Sequence, residues 1–214
     1  MIFDCDGVLV DSEPAAFDLV ASDLNRHGLD LSRAEMERLF LGGTMAAVCD
    51  KARALGAALP GTWVDDVYTR LYARLAEGTP LIPGIMDVLD QLDACAIPYA
   101  VGSNGSDRKM QVTLGQHPAL LSRLEGRLFS GQTLGAPKPA PDLYLHAARA
   151  LGQPPHACVV VEDSPTGARA VAAAGMACFG YSPHGDGAAL RAEGATVFRA
   201  MAELPGLLNI LPTG

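Results

Sequence analysis

From residue 85 onward, short apolar runs alternate with helical patterns, and few architectures accommodate that alternation. A helix over about 85 to 94 precedes the run Ile97 to Val101, and a second helix follows near Arg108 to Leu114. Leu128 to Ser130, Ala157 to Val161, Ala177 to Gly180 and Thr196 to Phe198 read as further strands, with helices over 142 to 151 and 167 to 174 between them. Strands joined by helices must run parallel, so the pattern predicts an α/β fold: a doubly wound parallel sheet with helices on both faces. At the front of the chain Met1-Ile2-Phe3 is a stub of another buried strand, running directly into Asp4-Cys5-Asp6-Gly7.

Between about Ser12 and Glu77 the period changes. Phe17, Val20, Ala21 and Leu24 fall on one helical face, then Met36, Leu39 and Phe40, then Tyr68, Leu71, Tyr72 and Leu75, with no convincing strand among them. Pro80-Leu81-Ile82-Pro83-Gly84 ends this stretch. The expected organisation is a core of residues 1–12 and 80–214 with an inserted helical unit of residues 13–79, a size that 214 residues accommodate. A formal charge of −8 repels phosphate backbones and anionic lipid, so neither nucleic acid nor membrane is an expected partner. Five dispersed cysteines without a CxxC pair predict reduced thiols rather than a disulfide frame or zinc knuckle, and with no leader-like or membrane-spanning run the expected location is cytoplasmic.

Parallel strands share a direction, so the polar residues that end them converge on one edge of the sheet, where such folds bind ligands. Asp4 and Asp6 end the first strand, Ser103 and Asn104 the second, and Glu162 and Asp163 the one at 157 to 161. Four carboxylates in one crevice repel each other unless a cation lies among them, and all-oxygen donors select a hard ion, Mg2+ being the natural choice beside a phosphate. Lys138, one of only three lysines, opens Lys-Pro-Ala-Pro-Asp just before a helix and would suit a phosphoryl group. Singly, each motif has a plain structural reading: turns at Asp4/Asp6 and Ser103-Asn104-Gly105, a solvated Lys138, a helix-entry acidic pair at Glu162-Asp163. Those readings leave their common edge unexplained.

Asp4-Cys5-Asp6-Gly7-Val8-Leu9-Val10-Asp11-Ser12-Glu13, Ser103-Asn104, Lys138-Pro139-Ala140-Pro141-Asp142 and Val161-Glu162-Asp163-Ser164 together resemble the four ordered motifs of the haloacid dehalogenase superfamily. The likeness is to its phosphatase and beta-phosphoglucomutase-like branch, and it spans essentially the whole chain. It implies a Rossmann-like core with an inserted α-helical cap domain. It further implies that Asp4 attacks phosphorus to form an aspartyl-phosphate and that Asp6 acts as general acid and base. Asp4, the Asp6 backbone carbonyl and Asp163 would hold Mg2+, with Glu162 nearby or outside the first ring of ligands. Ser103, the Asn104 backbone and Lys138 would grip the phosphoryl oxygens, and the cap would close on hinges near Asp11 to Glu13 and Thr79 to Gly84.

Within the branch, dehalogenases lack the second aspartate, and phosphonatases use a cap lysine for which Lys51 stands in the wrong place. Mutases resembling beta-phosphoglucomutase carry a cap-entry histidine and a cap-loop arginine, positions that fall here at Ala16 and near Met45. Hydrolysis of a small phosphorylated metabolite is therefore expected, with a phosphosugar mutase as the alternative and a non-catalytic phosphometabolite-binding module as a third reading. Gly42-Gly43 is a plain interhelix turn by composition. As a specificity loop, Gly43 and Thr44 would offer backbone contacts and a hydroxyl, suiting a polyol or sugar. Arg70 and Arg74 share a helical face that reads as solvated. The expected state is a monomer or weak homodimer. Only three residues precede Asp4, fewer than this family's first strand usually has; either the strand is unusually short or upstream residues have been lost, and in the second case an N-terminally extended chain would be expected to melt higher.

Overall fold

The computed structural model describes residues 1–40 and 44–210, with the backbone alone at Glu37. Strand β1 (Ile2–Phe3) leads into four helices, α1 (Glu13–Arg26), α2 (Arg33–Phe40), α3 (Met45–Ala54) and α4 (Trp63–Ala76). After α5 (Ile85–Ala94) come β2 (Ala100–Ser103), α6 (Asp107–Leu114), α7 (Pro118–Arg123), β3 (Leu128–Ser130) and α8 (Asp142–Ala150). The chain finishes with β4 (Val159–Glu162), α9 (Pro165–Ala173), β5 (Ala177–Tyr181), α10 (Ala188–Ala192), β6 (Thr196–Phe198) and α11 (Leu204–Leu207).

All strand pairs are parallel, in the order β3-β2-β1-β4-β5-β6. The winding therefore reverses between β1 and β4, and a reversal of this kind leaves a crevice at the carboxyl ends of the strands. Although β1 has two residues, it is central: Ile2 and Phe3 pair with Ala100 and Val101 on one side and with Val160 and Val161 on the other. Alternation along each strand sends Ile2, Ala100 and Val160 into a core with Tyr144, Ala147 and Ala168, while Phe3, Val101 and Val161 pack with Val88, Leu89 and Leu114 on the opposite face.

Two strands begin later than the apolar runs suggest. Ala96 takes a left-handed backbone and Pro98 has no N–H to donate, so pairing starts only at Ala100. Pro154 and Pro155 start a 3-10 turn that takes the Ala157 and Cys158 N–H groups, delaying β4 to Val159. Both strands run on into the polar residues, so Ser103 and Glu162 are last strand residues held in register by Ser130 and Gly180. Helices α7, α10 and α11 were not expected; each has six residues or fewer, too short to show a 3.6-residue period.

The helices α1 to α4 enclose a separate core of Leu24, Met36, Cys49, Trp63 and Val67. At its centre the buried Asp23 carboxylate accepts hydrogen bonds from Trp63 Nε1 at 2.6 Å, Arg70 at 2.6 Å and Arg26 at 2.5 Å. Arg70 thus braces this core, while Arg74 pairs with Glu77 at 3.0 Å. The two chain crossings run side by side, with Asp11 N donating to Pro80 O and Ile82 N to Leu9 O. Burial works against the Asp23 charge, but Arg70 and Trp63 outweigh it and hold the carboxyl below its usual value. Its contribution is complete above the unfolded carboxyl pKa of about 3.9 and is lost as pH falls through the lower folded value. Asp23→Ala leaves the buried indole N–H without its acceptor and should cost about 1–3 kcal/mol in urea unfolding at pH 7, with a smaller difference from the parent at acidic pH.

All five cysteines are free thiols, and only Cys95 is exposed. Among the described residues no helix is long and apolar enough to cross a membrane.

Candidate active site

The turn after β1 is tight because Gly7 N donates to Val10 O and Leu9 N to Cys5 O. Gly7 sits at φ +75°, and a Cβ there would lie 1.9 Å from Asp163 Oδ2, so both backbone and space require glycine. The turn folds Asp6 back beside Asp4 over the end of the sheet.

Lys138 is the centre of the arrangement. The segment before α8 carries it inward until it is buried, and its ammonium donates to Asp4 Oδ1 and, at 2.6 Å, to Glu162 Oε1. Asn104 fixes its backbone from both sides: Oδ1 accepts the Lys138 N–H at 2.8 Å and Nδ2 donates to the Lys138 carbonyl at 3.2 Å. Glu162, fully buried, is saturated. Its Oε1 also accepts from the Tyr144 hydroxyl, and its Oε2 accepts from Ser164 Oγ at 3.0 Å and from the Asp163 and Ser164 N–H groups. Ser164 in turn caps α9 through the Gly167 N–H at 3.0 Å.

Asp6 accepts from the Ser12 hydroxyl and makes an ion pair of 2.8 Å with Lys109. Ser103 is buried, its hydroxyl accepting the Gly105 N–H at 2.9 Å. From α4, Tyr68 reaches the same region, accepting from Gln132, whose amide also donates to the Asn104 carbonyl.

Asp4, Asp6, Ser103, Asn104, Lys138 and Asp163 all line one cavity of about 150 Å3 between the sheet edge and the helices α1 to α4. Thr44 joins them from the other side, its hydroxyl capping α3 through Ala47 N at 3.2 Å. Gly43 lies outside the described residues. Glu162 stands behind the lining, its carboxylate spent on Lys138, Tyr144 and Ser164. Lys109, Tyr144 and Gln132 were not singled out from sequence, and Ser12 and Tyr68 were read only as a motif position and a helix-face residue. The Ser106 cap places Lys109 in the first turn of α6, but only the packing of that helix brings it to Asp6.

Charge in this crevice is unbalanced. Burial pushes the Asp4 carboxyl up to about 7, with Lys138 pulling it back and Glu162 and Asp6 adding to the rise. Burial, then Glu13 and Asp4, push Asp163 well above the usual carboxylate range. At Asp6 burial acts the same way, but Lys109 and Ser12 overcome it and hold the carboxyl low. Burial opposes the Lys138 charge, and Asp4 and Glu162 outweigh it. One oxygen each from Asp4, Glu162 and Asp163 lie within 4.8 Å of one another. Asp4 and Asp163, two oxygen donors that burial holds away from the ionised form they would adopt beside a cation, fit a hard divalent ion, with the saturated Glu162 behind them.

A family model described as haloacid dehalogenase-like hydrolase matches residues 1–175. The 6-phosphogluconate phosphatase of Escherichia coli K12 is 31% identical over 208 residues, covering 97% of this chain and 93% of that protein. Hexitol phosphatase A of the same organism is 33% identical over 177 residues, 81% of this chain and 78% of its own. Among solved structures, a haloacid dehalogenase-like protein of unknown function from Agrobacterium tumefaciens superposes with a TM-score of 0.83 at 31% identity, covering 97% and 96% of the two chains. A hydrolase of the same family from Deinococcus radiodurans, solved with phosphate and sodium, gives 0.78 at 33% identity and covers 100% and 97%. The family match, the near full-length relatives and the sheet-edge crevice agree: this chain belongs to the haloacid dehalogenase-like hydrolases.

Proposed function

We propose that the chain is a Mg2+-dependent phosphatase that releases phosphate from a small sugar, polyol or sugar-acid phosphate through a phosphorylated Asp4. The observation that carries this reading is the convergence of Asp4, Asp6 and Lys138 in one cavity, each with its own fixed partner. Asp4 supplies the nucleophilic oxygen: its bond to phosphorus forms as the bond from phosphorus to the substrate oxygen breaks. Asp6, which must enter the cycle protonated although Lys109 and Ser12 favour its carboxylate form in the free protein, gives that proton to the leaving oxygen, then regains one from the water that attacks the aspartyl-phosphate, and the bond between phosphorus and Asp4 breaks to free inorganic phosphate. Ser12 and Lys109 hold the Asp6 carboxylate in place for both transfers. Lys138, with the Ser103 hydroxyl and the Asn104 backbone, faces the phosphoryl oxygens where charge spreads during transfer. Asp4, the Asp6 carbonyl and Asp163 would hold Mg2+ with Glu162 behind them, and the bound ion would offset the charge of the carboxylates and the phosphoryl group.

Ala16 and Met45 both line the cavity, so the positions that would carry the mutase histidine and arginine lie on the site and hold neither. That supports transfer to water over transfer to a second sugar position. Motion of residues 13–79 about the paired crossings would admit substrate and then exclude bulk water. The test is inorganic phosphate release from a panel of sugar, polyol and sugar-acid phosphates with Mg2+ or with EDTA. Release with Mg2+ that falls at least about 100-fold in EDTA and returns on adding Mg2+ is the expected result. Conversion of a phosphosugar to its isomer without free phosphate would establish a mutase instead.

A further inference from the structure

We infer that the leaving alcohol carries no anion of its own and turns a hydrocarbon face to the helices above the sheet, an inference that rests on the phosphatase reading. The part of the lining that α1, α2 and α3 contribute is largely apolar, with Phe17, Val20, Phe40, Met45 and Val48. Among the described residues the polar groups beside it are few, namely the Thr44 hydroxyl, the Tyr68 hydroxyl, the Gln132 amide and the Glu13 carboxylate. Every lysine, arginine and histidine of the sequence falls within the described residues, and only Lys109 and Lys138 line the cavity.

Neither cation is available to a second anion. Lys138 is enclosed by Asp4 and Glu162, and Lys109 is paired with Asp6 at 2.8 Å. A substrate carboxylate that reached Lys109 would have to displace the carboxylate assigned to proton transfer. Arg33 lies over the Phe17 ring, 5.8 Å from its centre, and is not among the lining residues. Three lining carboxylates, Asp4, Asp6 and Asp163, with Glu162 behind them on Lys138, already outnumber the two ammonium groups. A Mg2+ ion would balance that excess, and the transferring phosphoryl group restores it. A further negative charge on the leaving group then meets an apolar wall that offers it no lysine, arginine or histidine, and a charge buried there without a partner is rejected. The site is built for a neutral polyol, sugar or glycerol phosphate, and against a phosphorylated sugar acid or a bisphosphate.

The deciding experiment compares kcat/KM within matched pairs that differ by CH2OH against carboxylate: sorbitol 6-phosphate with 6-phosphogluconate, and glycerol 3-phosphate with 3-phosphoglycerate. p-Nitrophenyl phosphate serves as a reference. In both pairs the neutral member should be favoured by about 10-fold or more. Equal values or a preference for the carboxylated member would overturn the inference while leaving the phosphatase reading intact. Where neither member turns over, their inhibition constants against p-nitrophenyl phosphate decide by the same rule. No hydrolysis of any of the five compounds by folded protein with Mg2+ would overturn the phosphatase reading, and the inference with it. Met45→Lys, which places a cation on a half-buried wall position, should shift the pairwise ratio toward the carboxylated member by about 5-fold or more. An unchanged ratio would show that the wall does not set the preference. Because the ratio is taken within one protein, any loss of folded material cancels.

Discussion

Asp4→Asn should leave a folded protein that releases phosphate at least about 10,000-fold more slowly than the parent, because the amide has no nucleophilic carboxylate oxygen. Folding should survive for reasons visible in the crevice. Lys138 keeps Glu162 as a partner when the Asp4 charge is removed, so no buried ammonium is stranded. Burial raises the folded Asp4 pKa to about 7, above its unfolded value, so the ionised carboxylate costs the folded state stability from about pH 4 upward. A neutral isostere escapes that cost. In EDTA at pH 7.5 the variant should melt at or above the parent temperature, and at pH 4 the two should converge. Thermal unfolding at the two pH values checks this alongside the rate.

Gly167→Ala carries the second large effect, and it runs against helix propensity. Gly167 lies in the first turn of α9, where alanine would ordinarily add about 1 kcal/mol. A Cβ at this position, however, would sit 1.8 Å from Glu162 Oε1 and 2.1 Å from Oε2. The carboxylate itself fills the space that glycine leaves. It cannot retreat without giving up Lys138, the Tyr144 hydroxyl and Ser164 together, which leaves a buried ammonium with one partner. The expected cost is about 2–4 kcal/mol of stability, with kcat falling about 100-fold as Lys138 loses its position. Urea unfolding and steady-state kinetics on the same preparation would measure both. A variant as stable and as active as the parent would mean that Glu162 does not position Lys138.

Much of this was legible in the residues. The alternation after residue 85 was enough for a parallel sheet, and strand-end positions alone brought Asp4, Asp6, Ser103 and Asp163 to one edge. The strand starts at Ala100 and Val159 were missed because an apolar run shows burial, whereas pairing also needs free N–H groups, which Pro98 and the turn at Pro155 withhold. The partners were harder still. Lys109 and Tyr144 look like ordinary helix residues, and only the packing of α6 and α8 against the sheet turns them toward Asp6 and Glu162. Glu162, read as near the metal or just outside its ligands, spends its carboxylate on protein donors beside Asp4 and Asp163, and the space for it depends on the absent side chain at Gly167. The proposed chemistry comes from the resemblance to a known family, and the three-dimensional arrangement shows what holds each group in place.

The central claim is that phosphate passes through Asp4, and trapping the intermediate tests it most directly. In Asp6→Asn the water that clears the intermediate has no base, so the second step should slow more than the first for a substrate with a good leaving group such as p-nitrophenyl phosphate. Acid quenching within the first turnover, followed by mass spectrometry of the peptides, should find a phosphoryl group on the peptide that contains Asp4, and none when Asp4→Asn is added. Turnover with no phosphorylated peptide at any time, or a phosphoryl group on another residue, would contradict the account.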